Sequence, residues 1–342
     1  EYKRPKFLVE MKPVDKVYKL GEKVAAKGVA TAYAGNKIDG AKVQYKVTRQ
    51  ARFPYWYGWR WGYNPYNQAK QEITFGETTT DENGEFTINF DAVPDRSIPA
   101  SEKPEFTYEV TADVTDVTGE TRSTSYRVRV GYIAMNVSLN LDENISRENY
   151  TAAKISTLNL NGQYEAAKGK IVVEQLQQPS QVYHQRFWAK PDYFVLTEAD
   201  FKAQFPHLAY KNEDVSGEWA AKKQVYSGDF DTDKSKELAL KDIATWEQGT
   251  YRLTLTTADK YGEKIEVQQI FTLYSEKETR TPVPTALYNM QNFYSVEPGE
   301  TALIDFGTYQ NDAYVLVQVE FDGLLLHNEW IQPKGRKSIP IK

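Results

Sequence analysis

The strongest constraint on the fold is a stretch of alternating sequence that occurs twice. Thr107–Val130 returns in outline at Thr250–Leu273: a Thr-Tyr pair opens each run (Thr107-Tyr108, Thr250-Tyr251), and a Gly-Glu pair follows at the same offset (Gly119-Glu120, Gly262-Glu263). Polar and apolar residues alternating on both sides of a Gly-containing turn describe a β-hairpin with one face buried and one wet. Two copies predict two similar β domains.

The composition agrees. Tyr (24), Phe (15) and Trp (7) far outnumber Met (3), which suits strands better than helices. A chain of 342 residues, 40% hydrophobic, has enough apolar surface for two or three domains. Its net charge is 42 − 47 = −5, and no Lys/Arg run forms a basic stripe, which argues against a nucleic-acid partner. With no Cys, disulfides, thiolate nucleophiles and thiolate metal sites are excluded together. No segment approaches the 18 apolar residues of a membrane span, so no membrane contact is expected of this segment. The opening Glu1-Tyr-Lys-Arg-Pro5 resembles neither a signal peptide nor an initiator, and the expectation is a piece of something larger.

Along the chain, Phe7–Met11 reads as a short strand. Ala41–Arg49 alternates Val43, Tyr45 and Val47 against Lys42, Gln44 and Lys46, one face for the core and one for solvent. Asp81-Glu-Asn83-Gly84 predicts a hairpin with a type I′ turn at Asn-Gly. Seven or so strands at this spacing indicate a β-sandwich over 1–131. A second sandwich is expected over 132–276, with strands at Ala153–Leu160 and Lys170–Gln177. From about 179 to 245 alternation is lost, which predicts a long, partly helical insertion. Within it Thr197 can cap a short helix that carries Phe201 and Phe205 on one face and stops at Pro206. After the linker Lys277–Pro284, Tyr294–Ala302 echoes Tyr18–Glu22, and Tyr314–Phe321 reads as a strand. The segment 285–342 is short for a whole sandwich, so a partial third domain is expected.

The run Tyr18-Lys-Leu-Gly21-Glu22-Lys-Val24, then Gly28–Ala32, Asp39–Val43, Thr80–Phe86 and Tyr108–Ala112, resembles a macroglobulin domain of the alpha-2-macroglobulin-like proteins, most closely their large bacterial, Bacteroidetes-type members. The likeness covers the first domain well, the third segment in part, and the second mainly through its hairpin. The resemblance implies an exported chain of tandem fibronectin-like sandwiches around a bait region, often with a reactive thioester, that traps proteases or serves surface defence. A thioester needs a Cys, and this chain has none. The resemblance therefore implies a non-catalytic scaffold, periplasmic or at the cell surface, without cofactor or metal. Its partners would be the other domains of the parent protein and, through them, proteases.

The main local anomaly is Phe53–Tyr66, in which every odd position from Phe53 to Tyr63 is aromatic. On an extended chain these rings share one face and carry on the order of 1,000 Å² of apolar surface. They either pack against a domain, meet a partner protein, or stack on sugars. In the last case Tyr55, Tyr57, Trp59, Trp61 and Tyr63 form the candidate interaction surface of a glycan-binding cell-surface module. Asp229-Phe-Asp231-Thr-Asp233 spaces oxygens like a Ca²⁺ loop, but Lys234 and Leu240 stand where Gly and Glu are needed, so a solvated loop is expected. His184, His207 and His327 lie apart in sequence and form no H-E-x-x-H pair. Three Asn-x-Ser/Thr sequons, at Asn136, Asn144 and Asn149, read as chance in an Asn/Ser-rich stretch.

Overall fold

The computed structural model describes residues 6–14, 16–53, 69–290, 297 and 299–341. The chain forms two compact units. The first is Glu1–Ser138 with Ser156–Ala167 and Ala258–Ile265; the second is Leu139–Ile155, Lys168–Thr257 and Glu266–Lys342. Almost all regular structure is β, as the alternation predicts.

In the first unit β1 (Phe7–Met11), β2 (Lys23–Ala32) and β5 (Glu85–Asp91) form one antiparallel sheet in the order β1-β2-β5. A second sheet runs β4-β3-β6-β7, from β3 (Lys42–Arg52), β4 (Gln71–Thr79), β6 (Glu105–Thr115) and β7 (Thr121–Gly131). Strands with period-2 alternation must hide one face. Here Val24, Ala26, Ile88 and Phe90 of one sheet and Val43, Val47, Phe106, Val110, Val128 and Val130 of the other join a single buried cluster. Each of the Val, Ile and Phe side chains contributes about 1.5–3 kcal/mol on burial, and the sheets close as a β-sandwich.

The hairpin turns share one local design. Asp116 Oδ1 accepts the N–H groups of Thr118 (2.8 Å) and Glu120 (2.9 Å), and Gly119 donates to the Asp116 carbonyl at 3.0 Å. Asp259 repeats this with Tyr261 and Glu263, Asn159 with Asn161 and Gln163, and Asp81 with Asn83 and Glu85. The carboxylate or amide at the first position thus satisfies two N–H groups that the loop would leave open. The type I′ expectation at Asn83-Gly84 is corrected by this geometry. Gly84 has φ +69° but Asn83 is not at positive φ, so the loop is a tight turn closed by one left-handed glycine rather than two left-handed residues. A Cβ on Gly84 would also lie 2.4 Å from the Ala30 carbonyl oxygen.

Two described residues of the later segment, Glu297 and Glu300, repeat the contacts of Lys19 and Glu22. Glu22 donates its N–H to the Lys19 carbonyl and accepts the Lys19 N–H at 3.2 Å; Glu300 does the same with Glu297, accepting at 3.1 Å.

A three-stranded sheet runs β13-β10-β8, from β8 (Met135–Asn140), β10 (Ala153–Asn159) and β13 (Glu237–Leu238). A five-stranded sheet runs β12-β11-β14-β15-β9, from β9 (Asn144–Ser146), β11 (Lys168–Leu176), β12 (Ala221–Asp231), β14 (Gly249–Ala258) and β15 (Lys264–Tyr274). In the second unit Ile171, Val173, Leu253, Leu255 and Leu273 are fully buried. Within the stretch expected to be a long, partly helical insertion, about 179–245, the structure instead places β12, paired along β11. It is an edge strand of polar residues with Phe230 as its one buried apolar side chain, so alternation gives no signal there. The short helix α1 (Glu198–Gln204) forms as expected: Thr197 Oγ1 accepts the Asp200 N–H, and the Phe201 and Phe205 rings lie 5.3 Å apart.

The last segment adds β16 (Tyr288–Met290), β17 (Ala302–Gly307) and β20 (Arg336–Ile341) in the order β16-β17-β20, with a separate hairpin of β18 (Val315–Phe321) and β19 (Leu324–Ile331). Its buried cluster is small: Phe306, Ile331 and Ile339, with Val315 and Val317 against them.

Candidate functional site

The predicted interaction surface, Tyr55, Tyr57, Trp59, Trp61 and Tyr63, lies outside the described residues. Phe53, at the entry to that tract, is half-buried and packs against the core of the first unit.

The Ca²⁺-like spacing at 229–237 does not gather free oxygens. Asp231 pairs with Lys168 at 3.2 Å and Lys234 at 3.9 Å, and its Oδ1 accepts the Asp233 N–H at 3.1 Å. Among the described residues no three His, Cys, Asp or Glu side chains stand where they could share a metal. The fold does bring His184 and His207 together. Their rings meet edge to face at 5.5 Å, and the His184 N–H donates to the His207 carbonyl at 2.7 Å. Sequence spacing gives no sign of this contact, which depends on the return of the chain after α1.

Among the described residues Glu148 is the carboxylate held furthest below its ordinary value. Partial burial pushes it up, but the Ser275 hydroxyl (2.6 Å), the Glu276 N–H (3.2 Å) and Arg147 (3.3 Å) outweigh this and hold it down to about 2. Arg147 in turn donates to the Trp246 carbonyl at 3.0 Å and pairs with Glu278 at 3.1 Å. Every partner is a structural group of the second unit, so Glu148 is a clamp between chain segments rather than an acid or base. A carboxylate with a lowered folded pKa stabilises the fold above its ordinary pKa and loses that contribution as pH falls towards the folded value. Stability of the second unit is therefore expected to fall as pH drops from about 4.5 towards 2. Urea titrations across that range check this, and Glu148→Gln should flatten the dependence.

The inserted segment holds the most exposed aromatic side chains among the described residues. Its base is packed: Tyr210 lies 4.4 Å from Phe194 and 5.4 Å from Phe201, and its hydroxyl donates to the Leu196 carbonyl at 2.9 Å. Arg186 stacks over Phe201 at 5.1 Å and donates through Nη2 to the Ala209 carbonyl. Lys190 holds the Lys211 carbonyl and Asp214. On this base Phe187 is 98% exposed and Trp188 62%, with Tyr193 and Val195 also exposed. A cavity of about 400 Å³ opens beside them, lined by His184, Gln185, Arg186, Phe187, Trp188 and Leu208.

No family model and no curated protein matches the chain. Among solved structures it is similar to native alpha-2-macroglobulin of Escherichia coli, with TM-score 0.33 and 10% identity over 100% of this chain and 21% of that one. Alpha-2-macroglobulin of Salmonella gives TM-score 0.34 and 11% identity, over 100% and 21%. A bacterial ice-binding adhesin gives TM-score 0.24 and 11% identity, over 99% and 88%. The chain thus spans about a fifth of those two alpha-2-macroglobulins, and at these scores the likeness carries no argument about function.

Proposed function

We propose that this chain is a non-catalytic, scaffolding part of an exported alpha-2-macroglobulin-like protein, periplasmic or at the cell surface, that acts on proteases through regions outside the chain. In this reading 1–131 and 132–276 are macroglobulin-like sandwiches and 285–342 is part of a third. The observation that supports it is the repeated closing hairpin. In both copies the Thr-Tyr tyrosine is buried and its hydroxyl anchors upstream backbone: Tyr108 to the Val93 carbonyl at 3.0 Å, and Tyr251 to the Glu247 carbonyl four residues back. A buried tyrosine tied to backbone upstream is a device of fibronectin- and immunoglobulin-like sandwiches.

The test uses the full-length protein. Mixed with trypsin, it should leave cleavage of a small peptide amide intact while cleavage of casein falls at least about tenfold. Equal cleavage of both substrates with and without it would overturn the protease-trapping reading. The sequence tract 53–66 supports a second reading, a glycan-binding surface module. Saturable polysaccharide binding abolished by Trp59→Ala would favour that module over the scaffold.

A further inference from the structure

On the scaffold reading, which makes the chain part of a longer series of modules, we infer that two hairpin tips of the first sandwich, one carrying Tyr33 and the other Val117, are the docking surface for a further β-sandwich that precedes it in the same polypeptide.

The repeat identifies these tips. Strands β2, β3, β6 and β7 correspond in order and sheet position to β10, β11, β14 and β15. Thr31 bridges Lys37 after β2, and Leu158 bridges Tyr164 after β10. Inside these bridges the Ala32 N–H donates to the Asn36 carbonyl at 2.8 Å, and the Asn159 N–H to the Gln163 carbonyl at 2.7 Å. Left-handed Gly35 (φ +89°) and Gly162 (φ +87°) fill the same place in the two turns. The other tip is the closing hairpin, 116–120 in the first copy and 259–263 in the second. Tyr33 therefore stands where Leu160 does, and Val117-Thr118 where Lys260-Tyr261 do.

The equivalent tips differ in what they touch. Residues 156–167 and 258–265 belong to the first compact unit. There Leu160 is 4% exposed, with its side chain against Gly131 at the end of β7, and Asn161 Oδ1 accepts the Arg129 N–H at 2.8 Å. The Tyr261 hydroxyl donates to the Val17 carbonyl at 3.1 Å. The second pair of tips thus grips the end of the sandwich before it, as neighbouring repeats do. In the first pair Tyr33 is 62% exposed and Val117 88%.

The path of the chain selects the occupant. Asp259 Oδ2 accepts the N–H of Ala134, where the chain enters the second sandwich. In the first sandwich Glu120 Oε1 accepts the Lys6 N–H at 3.0 Å, and the Tyr33 N–H donates to the Lys6 carbonyl at 3.0 Å. The chain enters across both tips, so a module joined ahead of it is delivered to them. A second copy of this chain fits less well, because its sandwich ends are already taken: Gly131 by Leu160, and the Ser275 carbonyl by Arg336.

Hydroxyl-radical footprinting of the 342-residue chain and of the native full-length protein reads the solvent access of Tyr33 without a substitution. Oxidation of Tyr33 should be about tenfold slower in the full-length protein, as its exposure drops from 62% towards the 4% of Leu160. Val117→Cys places a thiol in a chain that has none, and a photo-crosslinker attached there should capture, in the full-length protein, a peptide from a β-sandwich on the N-terminal side of Glu1. Equal oxidation of Tyr33 in both proteins overturns the docking, as does capture confined to this chain, to a module after Lys342 or to another protein. A native protein with no sandwich before Glu1 overturns it too. Protection of casein with Tyr33 open removes the docking and keeps the trapping; protection of Tyr33 without protection of casein does the reverse.

Discussion

Replacing Arg49 with Met is expected to destabilise the first unit by about 3 kcal/mol, the lower end of what breaking a buried ion pair costs. Arg49 sits on the core-facing side of β3 at 7% exposure. It donates to the carbonyls of Val93 and Pro94 at 3.0 and 2.8 Å, to Gln71, and to Asp95 at 3.0 Å, with the Phe106 ring 5.9 Å away. The Tyr108 hydroxyl reaches the same Val93 carbonyl. One guanidinium thus ties the segment after β5 to β3 and β4. Met fills much of the space but leaves two carbonyls and a carboxylate with fewer donors. Chemical denaturation followed by far-UV circular dichroism measures the loss. Arg127→Ala is the control, because its pair with Glu109 is solvent-exposed on the arginine side and should cost under about 1 kcal/mol.

Phe271→Ala is expected to cost the second unit about 3–5 kcal/mol, the usual range for a buried aromatic truncated in a core. Phe271 is 1% exposed and stacks on Tyr251 with centroids 5.4 Å apart; Tyr251 stacks on Trp246 at 5.5 Å. The column joins β15, β14 and the turn before β14, and Tyr251 is the tyrosine of the repeated Thr-Tyr pair. Removing Phe271 leaves a void under that ring, so Trp246 fluorescence should report the unfolding at lower urea. Phe321→Ala, on an exposed ring of the β18–β19 hairpin, should shift stability by no more than about 0.5 kcal/mol.

How much of this was legible in the sequence follows from the kind of force involved. The hairpins were readable because their signals are local: alternation sets the faces, and Asp116-Val-Thr-Gly119-Glu120 and Asp259-Lys-Tyr-Gly262-Glu263 carry their own hydrogen-bond acceptor and left-handed glycine. The parity of β3 also places Arg49 on the inner face with Val43, Tyr45 and Val47. What parity does not contain is the return of Val93–Asp95 that makes a buried charge tolerable. The polar edge strand β12 has no face to hide and so no pattern to read. The cavity at His184–Trp188 depends on Leu208 and Ala209 folding back after α1, a tertiary event with no periodic trace. The aromatic pair Phe187-Trp188 was the one available signal, and it was submerged in a segment that reads as irregular.

We propose above that this chain is a set of scaffold modules within a longer macroglobulin-like polypeptide. The most direct test of that proposal is the mass of the native protein, captured from its own cells with an antibody raised against residues 69–290 and sized by denaturing gel and peptide mass spectrometry. The account predicts a polypeptide several times the length of this chain, with peptides from further β-sandwich modules on the C-terminal side of Lys342. A native protein that ends at or near Lys342 would contradict it.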